Sequence, residues 1–360
     1  MSTPIPMKKQ FGLSLVEVMV ALVISLFLLG GIVQVYLGNR ASYGFSDANS
    51  RIIENGRFSL DTITTDTRMA GFWGCTKLQG DTNGDGTNAD DNPFIQNHLD
   101  NASGDYSILR HDFIEMPSIT ATVNNGLNDS DSLTLRGAKP GQSVFTADFV
   151  TPGDTSITVT ENRNLADGDI ILITNCYTAK IFEATSVAQD TAAGVTTISH
   201  LAATPNTGTP GNTNRNDCDG SPSHCLLAPK DLPFTPNNAA AFSLQTVTYT
   251  IAVSGTGSGE PALWRSVNNV NEELIEGVEQ MQVLFGEDTD GDGFPNQYLE
   301  SNDVADMQQI TAIRLWLVVR SERDNVLETS QTYSINGVNT TAADRRLRQV
   351  FSTTIDLRNK

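Results

Sequence analysis

Residues 8–36 read KKQFGLSLVEVMVALVISLFLLGGIVQVY, and how this stretch is read decides the rest of the chain. From Val18 to Val33 it is apolar apart from Ser25 and two glycines. Extended to Leu13 and Leu37, it is long enough as a helix to cross a hydrocarbon core of about 30 Å. Lys8 and Lys9 precede it, which predicts that the start stays cytoplasmic and the remainder crosses. Glu17 is the anomaly, an acid at the mouth of an apolar helix. A cleaved secretory signal would need small residues at an A-x-A-like site after the apolar run. The run ends instead in GNRASYGF. A plain signal anchor tolerates Glu17 near its edge at a cost of a few kcal/mol, but gives it no role.

The residues K-K-Q-F-G-L-S-L-V-E resemble the class III signal of type IV prepilins. That signal is a short basic leader ending in Gly, then an apolar residue, then Glu at the fifth position of the mature chain. The resemblance implies cleavage between Gly12 and Leu13 by a prepilin peptidase on the cytoplasmic side, N-methylation of Leu13, and retention of the helix. Residues 1–12 are then the leader, with Met7 an alternative start. The family usually has Phe first in the mature chain, whereas here Phe11 precedes the Gly and Leu13 follows it. A carboxylate in lipid needs a partner, and the new α-ammonium, on the same chain or a neighbour, supplies one. Glu17 also suits the positive end of the helix dipole.

The chain has 360 residues, 39% of them hydrophobic, with 42 acids, 23 bases and a net charge of −19. Such a surface repels nucleic acid, whose phosphates need Lys and Arg, and attracts divalent cations. The four cysteines, Cys75, Cys176, Cys218 and Cys225, form no C-x-x-C pair and no zinc-like spacing with the four His. Two disulfides formed in an oxidising compartment are expected. Cys218 and Cys225 enclose the short CDGSPSHC and pair with each other in this reading, which leaves Cys75 with Cys176. The even count supports that pattern without proving it.

The helix is predicted to run beyond the membrane segment, over residues 13–72 with 13–37 spanning. Ile53, Gly56, Leu60, Ile63, Thr67 and Ala70 recur on one face and are expected to lie on a sheet. From Leu13 to Ala70 such a rod would be roughly 85 Å long at about 1.5 Å per residue. Gly30, Gly31, Gly38, Gly44 and Gly56 are candidate kinks. Residues 73–360 read as β-rich. SLTLR, SVFTADFV, TSITVTEN, DIILITNC, KIFEATSV and VTTISHL are strand-like runs between turn residues. Further runs are SLQTVTYTIAV, EGVEQMQVLFG, ITAIRLWLVVRSE and RRLRQVFSTTIDLRN. In the third of these, Ile313, Leu315, Leu317 and Val319 alternate with Arg314, Trp316 and Arg320, as in a half-buried strand. Trp73, Trp264 and Trp316 are expected in the core. One long helix followed by antiparallel sheet is an α+β design, which is also the pilin-like architecture.

Several blocks together resemble the PilW class of minor type IV pilins. They are ENGRFSLDTITTDTRMAGFWGC (54–75), GDIILITNCYTAKIF (168–182), LIEGVEQMQVLFGEDTDGDG (274–293), AIRLWLVVRSE (312–322) and RRLRQVFSTTIDLRN (345–359). Residues of about 81–130 and 203–223 match nothing recognisable and read as variable loops. The resemblance implies a single-pass inner-membrane protein with a periplasmic globular part. Its implied partners are other minor pilins, the major pilin, a tip adhesin, the prepilin peptidase and the inner-membrane assembly platform. The implied role is priming of fibre polymerisation, ending at the extracellular tip, with fibre-dependent adhesion and twitching motility as the outcome. The J-class pseudopilin of type II secretion is the nearest rival, and a membrane-anchored surface-binding protein is a second. No enzyme is expected, since G-x-S-x-G, H-E-x-x-H and P-loop motifs are absent from the sequence.

EDTDGDGFPNQYLE places Asp288, Asp290, Asp292 and Gly293 at positions 1, 3, 5 and 6 of an EF-hand-type calcium loop. The Phe294 carbonyl and the Asn296 side chain fall at positions 7 and 9. Position 12 is Leu299, with Glu300 one place late, so the bidentate acid is missing from its slot. A calcium loop within a hairpin is expected. Asp81, Asn83 and Asp85 form a fainter echo, read as a polar turn. The N-terminal reading is checked by mass spectrometry of the mature protein, which is expected to begin at methylated Leu13. A chain starting at Met1, or beyond residue 40, sinks it.

Overall fold

The computed structural model describes residues 14–74, 94–97, 118–139, 141, 143–146, 155–176, 178–201, 212, 234–236 and 238–358. One unbroken α-helix, Leu15–Met69, carries the N-terminal part. Its 55 residues span roughly 82 Å at about 1.5 Å each. The expected kinks at Gly30, Gly31, Gly38 and Gly44 do not form, because helical geometry continues through all of them. A Cβ at any of the four would meet nothing within 4 Å, so they leave smooth notches on an exposed rod. The half from Leu15 to Leu37 presents its large apolar side chains outward. It is long and apolar enough to cross a membrane.

The second half of the helix packs on protein. Its buried face is Ile52, Gly56, Ser59, Ile63 and Thr67. The sequence reading had Ile53 and Leu60 on that face, but both are only half-buried. The stripe is turned by one residue at its start, because Ser59 can hide its hydroxyl on the Asn55 carbonyl at 2.8 Å. Small polar residues thus occupy buried positions that apolar periodicity alone does not flag. The helix ends at Ala70, whose amide bonds the carbonyls of Asp66 and Thr67. Gly71 (φ 75°) then turns the chain so that its amide meets Arg136 O at 2.9 Å.

Opposite this face stands a four-stranded antiparallel sheet in the order Gln297–Leu299, Val278–Glu287, Ile310–Arg320 and Arg348–Asp356. A nine-stranded sheet adjoins it, centred on the 14-residue strand Ala240–Val253. The C-terminal half of that strand pairs with Ser132–Ala138 and Pro261–Val267. Its N-terminal end pairs with Ile170–Thr174 and Ser143–Val144. One pair in this sheet, Phe94–Asn97 with Thr178–Glu183, is parallel. Ser156–Thr160, Val195–Ser199 and Ser186–Asp190 make a three-stranded sheet, and Thr332–Ile335 with Val338–Thr341 a small hairpin. The fold is mixed α+β, as the sequence implied.

Several details differ from the sequence reading. The run SVFTADFV forms strand only at Ser143–Val144, with a bridge from Phe145 to Val159. KIFEATSV breaks at Ala184, which belongs to the turn between two strands. The hairpin Pro261–Val267 and Val270–Glu276 escaped notice. Its two-residue turn is Asn268–Asn269, at φ 48° and 66°, the geometry that favours Asn in tight hairpins. Trp73 is buried at 4% exposure, but Trp264 and Trp316 are only half-buried.

A core built from Ile52 and Ile63 of the helix, Leu133, Tyr249, Met281, Phe285, Ile313, Leu315 and Leu317 joins helix to both large sheets. Separate clusters form around Phe145, Phe182 and Phe234 and around Trp73, Leu172 and Phe242. Closest approach comes at Gly56, where an added Cβ would lie 2.4 Å from the Phe351 ring. Gly56→Val is therefore expected to cost about 1–3 kcal/mol through overpacking. Thermal denaturation followed by circular dichroism reads this as a lower Tm, partly restored by Phe351→Ala in the same chain. An unchanged Tm would show that the contact does not constrain the seam.

Candidate functional site

At the membrane end, Ser14 is the N-cap in extended backbone geometry (φ −73°, ψ 149°). The Glu17 amide donates to Ser14 Oγ at 3.2 Å, and the Ser14 amide donates to Glu17 Oε2 at 3.1 Å. This reciprocal capping box satisfies two of the amides that a helix start leaves without partners. Glu17 therefore has a second role besides the expected charge pairing: it closes the start of the membrane helix. Gly12 and Leu13 lie outside the described residues, so the amine expected to pair with Glu17 is not placed.

Two charged clusters fix the helix and the C-terminal sheet. Asp66 accepts from Tyr249 Oη at 2.6 Å and from Arg265 Nε at 3.0 Å and Nη2 at 2.9 Å, all at one carboxylate oxygen. Burial, reinforced by Asp66, pushes the Tyr249 phenol far above its ordinary value. Burial works against the Arg265 charge, but Asp66 outweighs it and raises that group too. The partners sit 183 and 199 residues from Asp66, and no local motif announced them.

The second cluster alternates cations and anions across strands. Arg320 bridges Glu260 at 2.6 Å and Glu279 at 3.1 Å, and Arg346 reaches Glu260 at 2.8 Å. Arg348, with a side chain only 4% exposed, meets Glu279 at 2.6 Å and Asp344 at 2.5 Å. The block RRLRQ, singled out in the sequence, thus provides a stitched seam between three strands. Beside it a cleft of about 380 Å³ opens between helix residues Asp47, Arg51 and Asn55 and the pair Glu260 and Arg320.

The Asp-rich loop lies between Val278–Glu287 and Gln297–Leu299. Asp288, Asp290 and Asp292 bring carboxylate oxygens within 4.8 Å of one another, as the sequence reading required. Gly291 (φ 78°) and Gly293 (φ 91°) allow the turn and donate their amides to the two oxygens of Asp288 at 2.7 and 2.8 Å. Burial raises the Asp288 carboxyl, but those amides outweigh it and hold the group below its usual range. The convergent oxygens fit a hard divalent cation. One member of the expected ligand set is not in place, and position 12 lacks its acid as the sequence indicated. Asn296 turns its oxygen to the Thr289 amide at 2.7 Å and donates Nδ2 to Asp290 at 3.2 Å. Leu299, at position 12, pairs with Phe285 in the sheet. The Phe294 side chain is 72% exposed.

Cys176, at φ 71°, is disulfide-bonded. Cys75, Cys218, Cys225, Asp81, Asn83 and Asp85 lie outside the described residues, so neither the connectivity nor the weaker Asp motif is placed.

With the geometry laid out, family comparisons bear on both ends of the chain. Residues 7–33 match the prokaryotic N-terminal methylation motif. Residues 248–359 match the type IV pilus-assembly protein W family. Together they support a type IV pilus-related pilin. The second match holds the whole four-stranded sheet, the Asp-rich loop and the arginine seam. Residues 34–247 lie outside both matches. No curated protein and no solved structure matches the chain.

The arginine seam has an acid dependence of definite sign. The Arg348 hydrogen bond holds the Asp344 carboxyl at about 2, against an ordinary 3.8, with burial opposing. A carboxyl depressed by folding stabilises fully above its unfolded value and loses that contribution as pH falls through the folded one. Tm should therefore drop between pH 4 and pH 2, and Asp344→Asn should make that drop shallower while lowering Tm at pH 7. An identical acid slope in the variant would remove Asp344 from the account.

Proposed function

We propose that the chain is a minor pilin of the PilW class that takes part in assembling a type IV pilus. The observation that carries this is one continuous helix with two solvents. Its first half is bare, apolar and capped by Glu17, and its second half is packed into protein. A secreted protein would lose such a helix on cleavage, and an ordinary anchor would use Glu17 as a cap but leave its charge without a partner at the edge of the lipid. A fibre subunit needs both the helix and the carboxylate.

In this reading the prepilin peptidase cuts between Gly12 and Leu13, Leu13 is methylated, and the globular part stands in the periplasm. The subunit joins other minor pilins and a tip adhesin on the assembly platform, primes growth of the major-pilin fibre, and ends at its tip. Its role is assembly, without catalysis. Deleting it is expected to leave major-pilin levels intact while lowering surface piliation several-fold, counted by electron microscopy and sheared-fibre immunoblots. Normal piliation with defective protein secretion would instead favour the J-class pseudopilin.

We also assign a calcium ion to Asp288, Asp290 and Asp292, with the Phe294 carbonyl and, after a side-chain turn, Asn296 as further donors. Three carboxylates supply the negative charge, and the missing position-12 acid implies weak affinity. Isothermal titration of the detergent-solubilised protein is expected to give a calcium isotherm at up to millimolar concentration and a raised Tm. Asp288→Asn with Asp292→Asn should abolish both. No heat and no stabilisation at millimolar calcium removes the site.

A further inference from the structure

The outward face of the four-stranded sheet carries a line of aromatic and cationic groups that the assembly role does not use. The register sets Leu284, Arg314 and Thr354 in one row across three strands, and Gln282, Trp316 and Ser352 in the next. The alternate residues Val283, Phe285, Leu315 and Leu317 point the other way, into the core shared with the helix. Leu284, Arg314 and Trp316 are half-buried and Ser352 and Thr354 exposed, so this face meets solvent. It lies opposite the helix, and in a fibre with helices at its centre it would face outward.

Arg314 is the unusual member. Its guanidinium lies 3.7 Å from the Tyr298 ring centre and 6.0 Å from that of Trp316. Tyr298 can lie down because its sheet partner is Gly286, where an added Cβ would come within 3.0 Å of Tyr298 Cε1. Among the described residues Arg314 makes no hydrogen bond and no ion pair, only these ring contacts. The other sheet arginines, Arg320 and Arg348, each bind two carboxylates. In a chain of net charge −19, Arg314 is held in place by rings while its planar fork of donors stays free. Such a fork matches a carboxylate with two parallel hydrogen bonds.

The size of the patch selects the ligand. Three strands about 4.8 Å apart and two rows about 7 Å apart cover on the order of 10 by 10 Å. That is far below the roughly 800 Å² per partner of a stable protein interface. It is the footprint of one or two sugar rings. The indole offers a flat apolar face for the C–H side of a pyranose. Ser352, Thr354 and the amide oxygen of Gln282, whose Nε2 already donates to the Asp129 carbonyl at 2.7 Å, offer hydrogen bonds to its hydroxyls.

We propose that this face is a binding platform for an acidic saccharide. Arg314 takes the sugar carboxylate and Trp316 stacks on the adjoining ring. The test uses the detergent-solubilised full chain with trigalacturonic acid, its neutral counterpart galactotriose and triglutamate, each titrated by isothermal calorimetry and by tryptophan fluorescence. Trigalacturonic acid is expected to bind, and the neutral trisaccharide at least tenfold more weakly. Arg314→Gln and Trp316→Ala should each weaken binding at least tenfold, and Arg314→Lys by less. Thr354→Glu changes an exposed residue, should leave Tm unchanged, and should abolish binding by giving Arg314 a carboxylate within the chain. Absence of trigalacturonate binding overturns the proposal, as does binding that these variants leave intact. Triglutamate binding as tightly as the saccharide also overturns it, and would make the face a peptide-carboxylate site.

Discussion

The structure depends on how closely the helix can approach the C-terminal sheet. At Gly56 the backbone itself forms the contact surface, and the Phe351 ring fills the space a side chain would take. This lets Ile52 and Ile63 on either side reach full burial against the sheet core. Burying a large aliphatic side chain is worth about 1.5–3 kcal/mol relative to exposure. The seam thus anchors a rod whose other half gains nothing from the globular part. The Asp66 cluster adds direction to a contact that packing alone leaves free to slide. Its carboxylate meets a phenol and a guanidinium from two different strands, which fixes the helix in both rotation and height. Desolvation makes such a half-buried carboxylate costly unless its partners are all present.

Much of this was legible in the sequence. The apolar run, the two lysines and Glu17 announced the long helix and its lipid half. Strict alternation announced Ile310–Arg320, and D-x-D-x-D-G announced three converging carboxylates. What failed did so for identifiable reasons. The helix face was right at Gly56, Ile63, Thr67 and Ala70 but off by one residue at Ile53 and Leu60, where Ile52 and the polar Ser59 are the buried neighbours. The hairpin closed by Asn268–Asn269 was missed because its strands mix charge with apolar residues. Trp316 was expected in the core because its block reads as core, although the same alternation that turns Ile313 and Leu315 inward turns Trp316 outward. Asp66, Tyr249 and Arg265 could not be joined from sequence, since only the tertiary fold brings them together.

The two family matches cover residues 7–33 and 248–359 and do not extend over the middle of the chain. The matched C-terminal part holds most of what packs on the helix, namely the four-stranded sheet and its arginine seam, while Leu133 and Leu135 of the middle join the same core. The unmatched middle holds the three-stranded sheet and the cluster around Phe145 and Phe182. The matched frame engages the helix, and the unmatched middle is added to it along the nine-stranded sheet. Loops and insertions placed on such a scaffold are where binding properties tend to diverge.

The frame and the addition are nevertheless not independent bodies. Ala240–Val253 belongs to both. Ala241 and Phe242 sit with the middle clusters, while Val247, Tyr249 and Ile251 sit in the core under the helix. A strand cannot slip by one residue without exchanging its two faces, so an error of register at one end is felt at the other. Three hydrophobic clusters that share one strand lose their order together. The protein should therefore behave as a single cooperative unit, and a defect in the middle region would reach the helix seam through the backbone of that one strand.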